Sequence, residues 1–129
     1  MKEVVILSSV RTAGAGFGGS LKNKSVVDLG VYAAKEAIRR SGIAPEYFDE
    51  VVIGNGWQAG VGPNSARVIS VGAGLPVEVP AFTVNKRCGS SIKAAALGAQ
   101  AIRAGDADVV LAGGAESTTN VPYVQPGAR

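Results

Sequence analysis

Short apolar runs rich in Val, Ile and Leu alternate along this chain with longer stretches that have helical periodicity. The runs occupy residues 4–7, 51–53, 81–84 and 108–112. Strands that alternate with helices pair in parallel and are joined by right-handed crossovers. The pattern therefore predicts a layered α/β fold, with a mostly parallel sheet of about four strands and helices on its faces.

The first apolar run, residues 4–7, reads Val-Val-Ile-Leu without a polar interruption. Such a run is typical of a strand that is buried on both faces, so we expect it to take a central position in the sheet. The glycine-rich segment at residues 11–19 lacks the lysine of a phosphate-binding loop and does not lead directly into a helix. No nucleotide site is predicted there.

Three helices are predicted from their end signals. Ser25 and Asp28 form a capping box for the first, which ends before Gly42 and has an apolar face made of Val26, Leu29, Ala33, Ala37 and Ile38. Asn64 caps a shorter second helix that extends to about residue 73. The third helix ends at Gly105 and is so rich in alanine that neighbouring backbone can approach it closely, which suits the interior of a large fold.

Cys88, the single cysteine, lies between the third apolar run and the alanine-rich helix. A helix N-terminus carries partial positive charge and favours a thiolate, which is the nucleophilic form of cysteine. A lone cysteine often serves instead as a small buried hydrophobe. The turn-forming Asn85 and Gly89 favour an accessible thiol, and we therefore expect Cys88 to be a nucleophile.

The length, residue content and charge of the chain exclude several kinds of site and several classes of protein. The 129 residues suit one domain, and the chain contains no histidine, so neither a Cys-His pair nor a metal site is expected within it. A net charge of +3 without a basic block does not indicate nucleic acid binding. The chain shows no signal-peptide layout and no membrane-length apolar stretch. A single cysteine fits a reducing cytoplasm, which is the expected location.

Four segments carry a more specific signal. They are Arg11-Thr12 with residues 17–21, the Asn-Ser-Ala-Arg at residues 64–67, residues 84–91 around Cys88, and residues 112–117 with Pro122-Tyr123. In this order they resemble the amino-terminal portion of the thiolases, particularly the biosynthetic acetyl-CoA acetyltransferase type. The resemblance covers essentially the whole chain. Arg87 and Ser91 depart from the residues usual in the family, and both flank Cys88, where they could tune the acyl group that fits.

The resemblance implies a thiolase-like N-terminal half that is incomplete without a second half. Residues 1–116 would form the α/β domain, and residues 117–129 would begin a loop domain that is truncated here. Family chains continue through that loop domain, which binds most of coenzyme A, and through a second α/β half. The second half brings an activating histidine and a further cysteine that acts as acid and base, so this chain alone is expected to be inactive.

By the same resemblance, Cys88 attacks an acyl-CoA thioester and holds the acyl group. A second acetyl-CoA then condenses with it to give acetoacetyl-CoA, or the reverse thiolysis runs. The backbone N–H of Cys88 is a candidate oxyanion donor. The expected substrates are coenzyme A thioesters, with no covalent cofactor and no metal, but the sequence identifies no coenzyme-binding residue. The expected partner is another copy of the chain or a complementary C-terminal half.

Alternatives remain open at this stage. The chain could be a non-catalytic or split-subunit assembly module that needs a complementary chain. A ketoacyl synthase, which also acylates a cysteine, is disfavoured by residues 64–67 and by the turn around Cys88. Thioredoxin-like redox chemistry lacks a resolving cysteine. Neither the preferred acyl chain nor the direction of the reaction follows from the sequence.

Overall fold

A computed structural model describes residues 2–128 and shows a parallel sheet with helices on its faces. The strands are β1 (Glu50–Gly54), β2 (Ala81–Val84) and β3 (Val110–Gly114), in the order β2-β1-β3. The helices are α1 (Val26–Ser41), α2 (Ser65–Ala73) and α3 (Ser90–Ala104), with short 3-10 helices at Pro45–Tyr47 and Thr118–Asn120. The predicted mostly parallel α/β fold is confirmed.

The two crossovers run in opposite directions across the sheet. The chain passes from β1 through α2 to β2 on one side, then through α3 to β3 on the other side of β1. Right-handed connections in opposite directions place α2 and α3 on opposite faces. α1 packs against α2, so the molecule has three layers: α1 with α2, then the sheet, then α3. Because the three strands are parallel, their carboxyl ends lie together along one edge of the sheet.

The main core lies between the layer formed by α1 and α2 and one face of the sheet. Val51 of β1 and Ile69 of α2 are fully buried in this core, whereas Val52, the next residue of β1, is fully buried on the opposite face of the sheet. The two helices approach closely because Gly30 of α1 faces Ile69: a Cβ at Gly30 would lie 2.4 Å from the Ile69 Cδ1.

The predicted helix ends are confirmed. Ser25 and Asp28 form the capping box of α1, and Gly42 ends this helix in the left-handed conformation. Asn64 caps α2, and Gly105 ends α3. The predicted apolar face of α1 is only partly right, because the buried stripe consists of Val26, Gly30, Ala34 and Ile38. Close contact with Ile69 of α2 places Gly30 in the stripe rather than the larger Leu29.

The predicted first strand is wrong, and the sheet has three strands among residues 2–128 rather than about four. Residues 4–7 form no ladder, and the side chains of Val5, Ile6 and Leu7 are exposed. Ser8 donates a hydrogen bond to the Ala37 carbonyl, which fastens the segment to α1 instead. A β-branched run forms a strand only when a neighbour offers backbone partners. Here a cleft of about 660 Å³ separates residues 3–10 from β3.

The chain beyond β3 is irregular, as its composition predicts. Ser117 and Asn120 both donate to the Lys24 carbonyl, and the Gly18 N–H donates to Thr119 Oγ1. These bonds tie the segment to the loop that precedes α1. No helix in residues 2–128 combines the length and apolar character that a bilayer crossing requires.

Asp49 joins the starts of β1 and β3. Its Oδ2 accepts hydrogen bonds from the backbone N–H groups of Val109 (2.9 Å) and Asp108 (2.8 Å). Because both bonds favour the ionised carboxylate, led by that from Val109, they hold the pKa of Asp49 below its ordinary value of 3.8. The Asp49 carboxylate therefore stabilises the folded chain at every pH at which it is ionised.

We expect Asp49→Asn to lower the free energy of unfolding at pH 7 by about 1 kcal/mol, the usual net value of a hydrogen bond. The folded-state pKa is depressed, so this stabilisation is complete above the ordinary pKa of 3.8 that applies to the unfolded chain, and it disappears as the pH falls through the folded value. Urea unfolding of both proteins between pH 7 and pH 3 measures the difference. Asp106→Asn, at an exposed carboxylate with no side-chain hydrogen bond in the described residues, is the control. A difference that stays constant to pH 3 contradicts the assignment.

Candidate active site

Cys88 lies at the edge of the sheet where the strands end, between β2 and α3. Its side chain is exposed, as the sequence predicted, and it stands one residue before Gly89, the N-cap of α3. Ligands of open parallel sheets collect at this edge. The thiol is therefore accessible beside the positive end of a helix dipole.

The turn that carries Cys88 is held by its own hydrogen bonds. Gly89 N–H donates to the Lys86 carbonyl (3.0 Å), and Ser90 N–H donates to the Arg87 carbonyl (3.1 Å). The buried Ser90 hydroxyl also donates to the Arg87 carbonyl (2.6 Å) and accepts from the Lys86 N–H (2.8 Å). These four bonds fix the backbone on both sides of the sulfur.

Arg87 has a backbone conformation that only glycine adopts freely. Its φ is 51°, in the left-handed region, which costs an L-residue roughly 1–2 kcal/mol. Asn85 Oδ1 accepts from the Arg87 N–H (3.0 Å), and the Arg87 guanidinium lies 6.0 Å from the centre of the Trp57 ring. Both contacts support the strained residue that immediately precedes the cysteine.

The first turn of α3 rests directly on the ends of two strands. A Cβ at Gly54 of β1 would lie 2.3 Å from the Ser90 carbonyl carbon and 2.5 Å from the Ser91 nitrogen. A Cβ at Gly114 of β3 would lie 2.6 Å from the Ser91 Cβ. No side chain fits at either position, so the two glycines set the height of the helix N-terminus above the sheet.

A hydrogen-bonded cluster around a single carboxylate lies next to this turn, and its members, Glu116 and Asn55, were not predicted as site residues from the sequence. Glu116 follows β3 and accepts hydrogen bonds from the Asn55 side chain and from the Gly56 and Trp57 backbone. Asn55 is fully buried at the end of β1. The sequence feature that could have identified them is their position within two residues of the ends of parallel strands, whose carboxyl ends meet at one edge.

The surroundings of Cys88 are open in the described part of the chain. The 660 Å³ cleft lies beside β3 and α1, and Cys88 is not among its lining residues. Within residues 2–128, no group of His, Cys, Asp and Glu side chains could hold a metal ion. The site thus offers a thiol, a helix N-terminus and a braced turn.

Comparison with known proteins identifies the type of domain this chain resembles. A family model described as the N-terminal domain of thiolase matches residues 4–129. The acetyl-CoA acetyltransferase of Syntrophomonas wolfei is 48% identical over 128 residues, which cover 99% of this chain and 32% of that protein. The acetyl-CoA acetyltransferase of Cupriavidus necator is 49% identical over 129 residues, which cover 100% of this chain and 33% of that protein. The chain spans about a third of the length of these relatives.

A solved structure has the same fold. The crystal structure of Acat5 thiolase from Ascaris suum in complex with coenzyme A superimposes with a TM-score of 0.95 at 46% sequence identity. The match covers 98% of this chain and 33% of that one.

The glycine contact predicts a sharp difference between two substitutions. Gly54→Ala should destabilise the chain by about 1–3 kcal/mol, the usual cost of overpacking, because the methyl group meets the α3 backbone. Gly113→Ala is the matched control, since a Cβ there meets nothing within 4 Å. Thermal unfolding followed by circular dichroism measures both. Equal melting temperatures for Gly54→Ala and Gly113→Ala would show that α3 does not rest on β1 in this way.

Proposed function

Because this chain belongs to the thiolase family, matching its N-terminal domain, we propose that it carries the acyl-accepting cysteine of an acetyl-CoA acetyltransferase. The observation that carries the proposal is the exposed Cys88 thiol at the N-terminus of α3. The relatives bear the name of this activity, and the Ascaris suum thiolase was solved with coenzyme A.

The first chemical step uses Cys88 as a nucleophile. Its thiolate attacks the thioester carbonyl of acetyl-CoA, a carbon–sulfur bond to Cys88 forms, and the bond to the coenzyme A sulfur breaks. Coenzyme A leaves as a thiolate that takes up a proton. This covalent intermediate divides one difficult exchange into two easier ones.

The second step forms or breaks the carbon–carbon bond. A second acetyl-CoA loses a proton from its α carbon, and that carbon attacks the acetyl group on Cys88 to give acetoacetyl-CoA and the free thiolate. In the reverse direction, coenzyme A and acetoacetyl-CoA give two acetyl-CoA molecules. The base that removes the α proton lies outside this chain, whose single cysteine is the nucleophile; by the family resemblance that base is a second cysteine.

The turn supplies stabilisation for the oxyanion that develops in the first step. We assign the Cys88 backbone N–H as one donor, because the bonds of Lys86, Gly89 and Ser90 hold the surrounding backbone fixed. A donor that is already aimed at the developing charge needs no reorganisation during the reaction. Loss of one such donor typically costs about 2.7–4 kcal/mol of barrier stabilisation.

The proposed function also implies a class of substrate, a partner and a location in the cell. The substrates are coenzyme A thioesters, and residues 117–129 begin a loop domain that contributes to their binding. The partner is a second copy of the chain or a complementary C-terminal half, and the location is the cytoplasm, where a single thiol stays reduced.

A second candidate function is a split-subunit assembly module without activity of its own. It is favoured by the free edges of β2 and β3 in the described sheet and by the exposed Val5, Ile6 and Leu7 beside the cleft. Natural proteins normally cover such edges and apolar patches. Both candidates require a complementary chain, and acylation of Cys88 separates them.

We expect incubation with acetyl-CoA to place a single acetyl group on Cys88, detected by intact mass and mapped by peptide mass spectrometry. The folded chain should react at least about tenfold faster than a peptide of residues 84–91, because only the folded turn aims its N–H groups at the carbonyl. Neutral hydroxylamine should release the group, as expected of a thioester and not of an acetylated lysine.

Cys88→Ala is the control and should remain unmodified. Equal rates for the folded chain and the peptide would contradict the proposed role of the turn. A folded chain that gains no acetyl group would leave the assembly module as the better candidate.

We also expect the isolated chain to show no turnover of acetoacetyl-CoA with coenzyme A, since it supplies the nucleophile without the α-proton base. Addition of a separate polypeptide that carries the second half of a relative should restore thiolysis, measured by the loss of acetoacetyl-CoA absorbance. The Cys88→Ala chain with the same polypeptide is the control. Robust turnover by the 129-residue chain alone refutes this expectation.

A further inference from the structure

Glu116 collects three hydrogen-bond donors at the end of β1. The Gly56 N–H donates to its Oε2 (2.7 Å), the Asn55 Nδ2 donates to its Oε1 (2.7 Å), and the Trp57 N–H donates to Oε1 (3.2 Å). Bonds to a charged carboxylate are stronger than bonds between neutral groups. One side chain just after β3 thereby fixes the course of the loop that follows β1.

That loop contacts the Cys88 turn at two points. The Gly56 carbonyl accepts a hydrogen bond from the Asn85 side chain (3.1 Å), and the Trp57 ring lies beneath the Arg87 guanidinium. The backbones are also adjacent, since a Cβ at Gly56 would lie 3.6 Å from the Arg87 carbonyl oxygen. A shift of this loop would therefore move the residues that immediately precede Cys88.

Asn55 shows that the contact with Glu116 is specific. Its side chain is 1% exposed, and its Nδ2 donates to Glu116, Ala115 and Trp57, which fixes the orientation of the amide. Its Oδ1 has no hydrogen-bond partner among the described residues. A buried polar atom without a partner is unfavourable, and an apolar side chain would avoid it. The three bonds from Nδ2, of which the one to Glu116 is the shortest, account for an amide at this position.

We propose that Glu116 is a positioning residue for Cys88, acting through the Gly56–Asn85 hydrogen bond and the Trp57–Arg87 cation–π contact. The inference rests on the proposed function in one respect, namely that Cys88 accepts an acyl group. Acylation requires the thioester oxygen of acetyl-CoA to accept hydrogen bonds from backbone N–H groups that are already aligned. Small displacements of those N–H groups lower the rate of acylation sharply. Alkylation by a small neutral reagent has no such requirement.

The first test measures the turn itself and does not depend on acylation. In Glu116→Gln an amide replaces one carboxylate oxygen, so the Gly56, Asn55 and Trp57 donors can no longer all be satisfied. Hydrogen exchange by NMR should show the Gly89 and Ser90 amides exchanging about tenfold faster than in the wild-type chain. Glu46→Gln is the matched control and should leave both amides unchanged. Glu46 precedes β1 and therefore lies near the amino-terminal ends of the strands, away from the Cys88 turn.

The second test compares two reactions of Cys88. In Glu116→Gln, acetylation by acetyl-CoA should fall about tenfold, while alkylation by iodoacetamide should change less than about twofold. General destabilisation would change both reactions together, so the ratio of the two rates reports on positioning. Glu116→Asp retains the charge and both oxygens with a shorter reach, and should recover part of the acetylation rate.

The outcomes separate the two proposals. If Gly56 and Trp57 exchange faster in Glu116→Gln while Gly89 and Ser90 do not, the positioning role is overturned, whether or not Cys88 is acylated. If the wild-type chain takes no acetyl group, the proposed function fails, and the exchange data still decide the positioning role. Should Glu116→Gln fail to fold, the same exchange criteria apply to Glu116→Asp.

Discussion

The contact between the first turn of α3 and the ends of β1 and β3 determines the rest of the site. Gly54 and Gly114 present no side chains, so the backbone at Ser90 and Ser91 lies directly on the strand ends. A parallel sheet gathers its carboxyl ends at one edge, and this contact brings the N-terminus of a helix to the same edge. Cys88 is exposed in the turn just before that helix, where β2 has ended and α3 has not yet begun.

Around this contact, polar groups connect elements that are distant in the sequence. Glu116 after β3 binds the loop after β1, and that loop binds Asn85 in the turn after β2. All three strands of the described sheet thus contribute a carboxyl-end loop to one hydrogen-bonded network. The strained backbone of Arg87 is held within it. Such an arrangement suits a nucleophile whose backbone donors must already be aligned when the substrate arrives.

Beyond β3, the described chain leaves apolar surface and a strand edge uncovered. Residues 3–10 run beside the free edge of β3 across a cleft, and three of their large apolar side chains are exposed. The relatives that share this fold are about three times longer than the chain. The apolar cleft and the two free strand edges are consistent with a domain on which another polypeptide packs. Both candidate functions include such a partner.

The sequence alone determined the alternation of strands and helices, the helix caps at Ser25, Asn64 and Gly105, and the place of Cys88 at a strand-to-helix junction. These features depend on residues close together in the chain, whose periodicity and capping chemistry act locally. Only the tertiary structure decided that residues 4–7 form no strand and that β1 is central. It also decided that Glu116 reaches Asn55, 61 positions away. Strand pairing and side-chain contacts between distant segments depend on which surfaces meet in space, and a local pattern does not encode that.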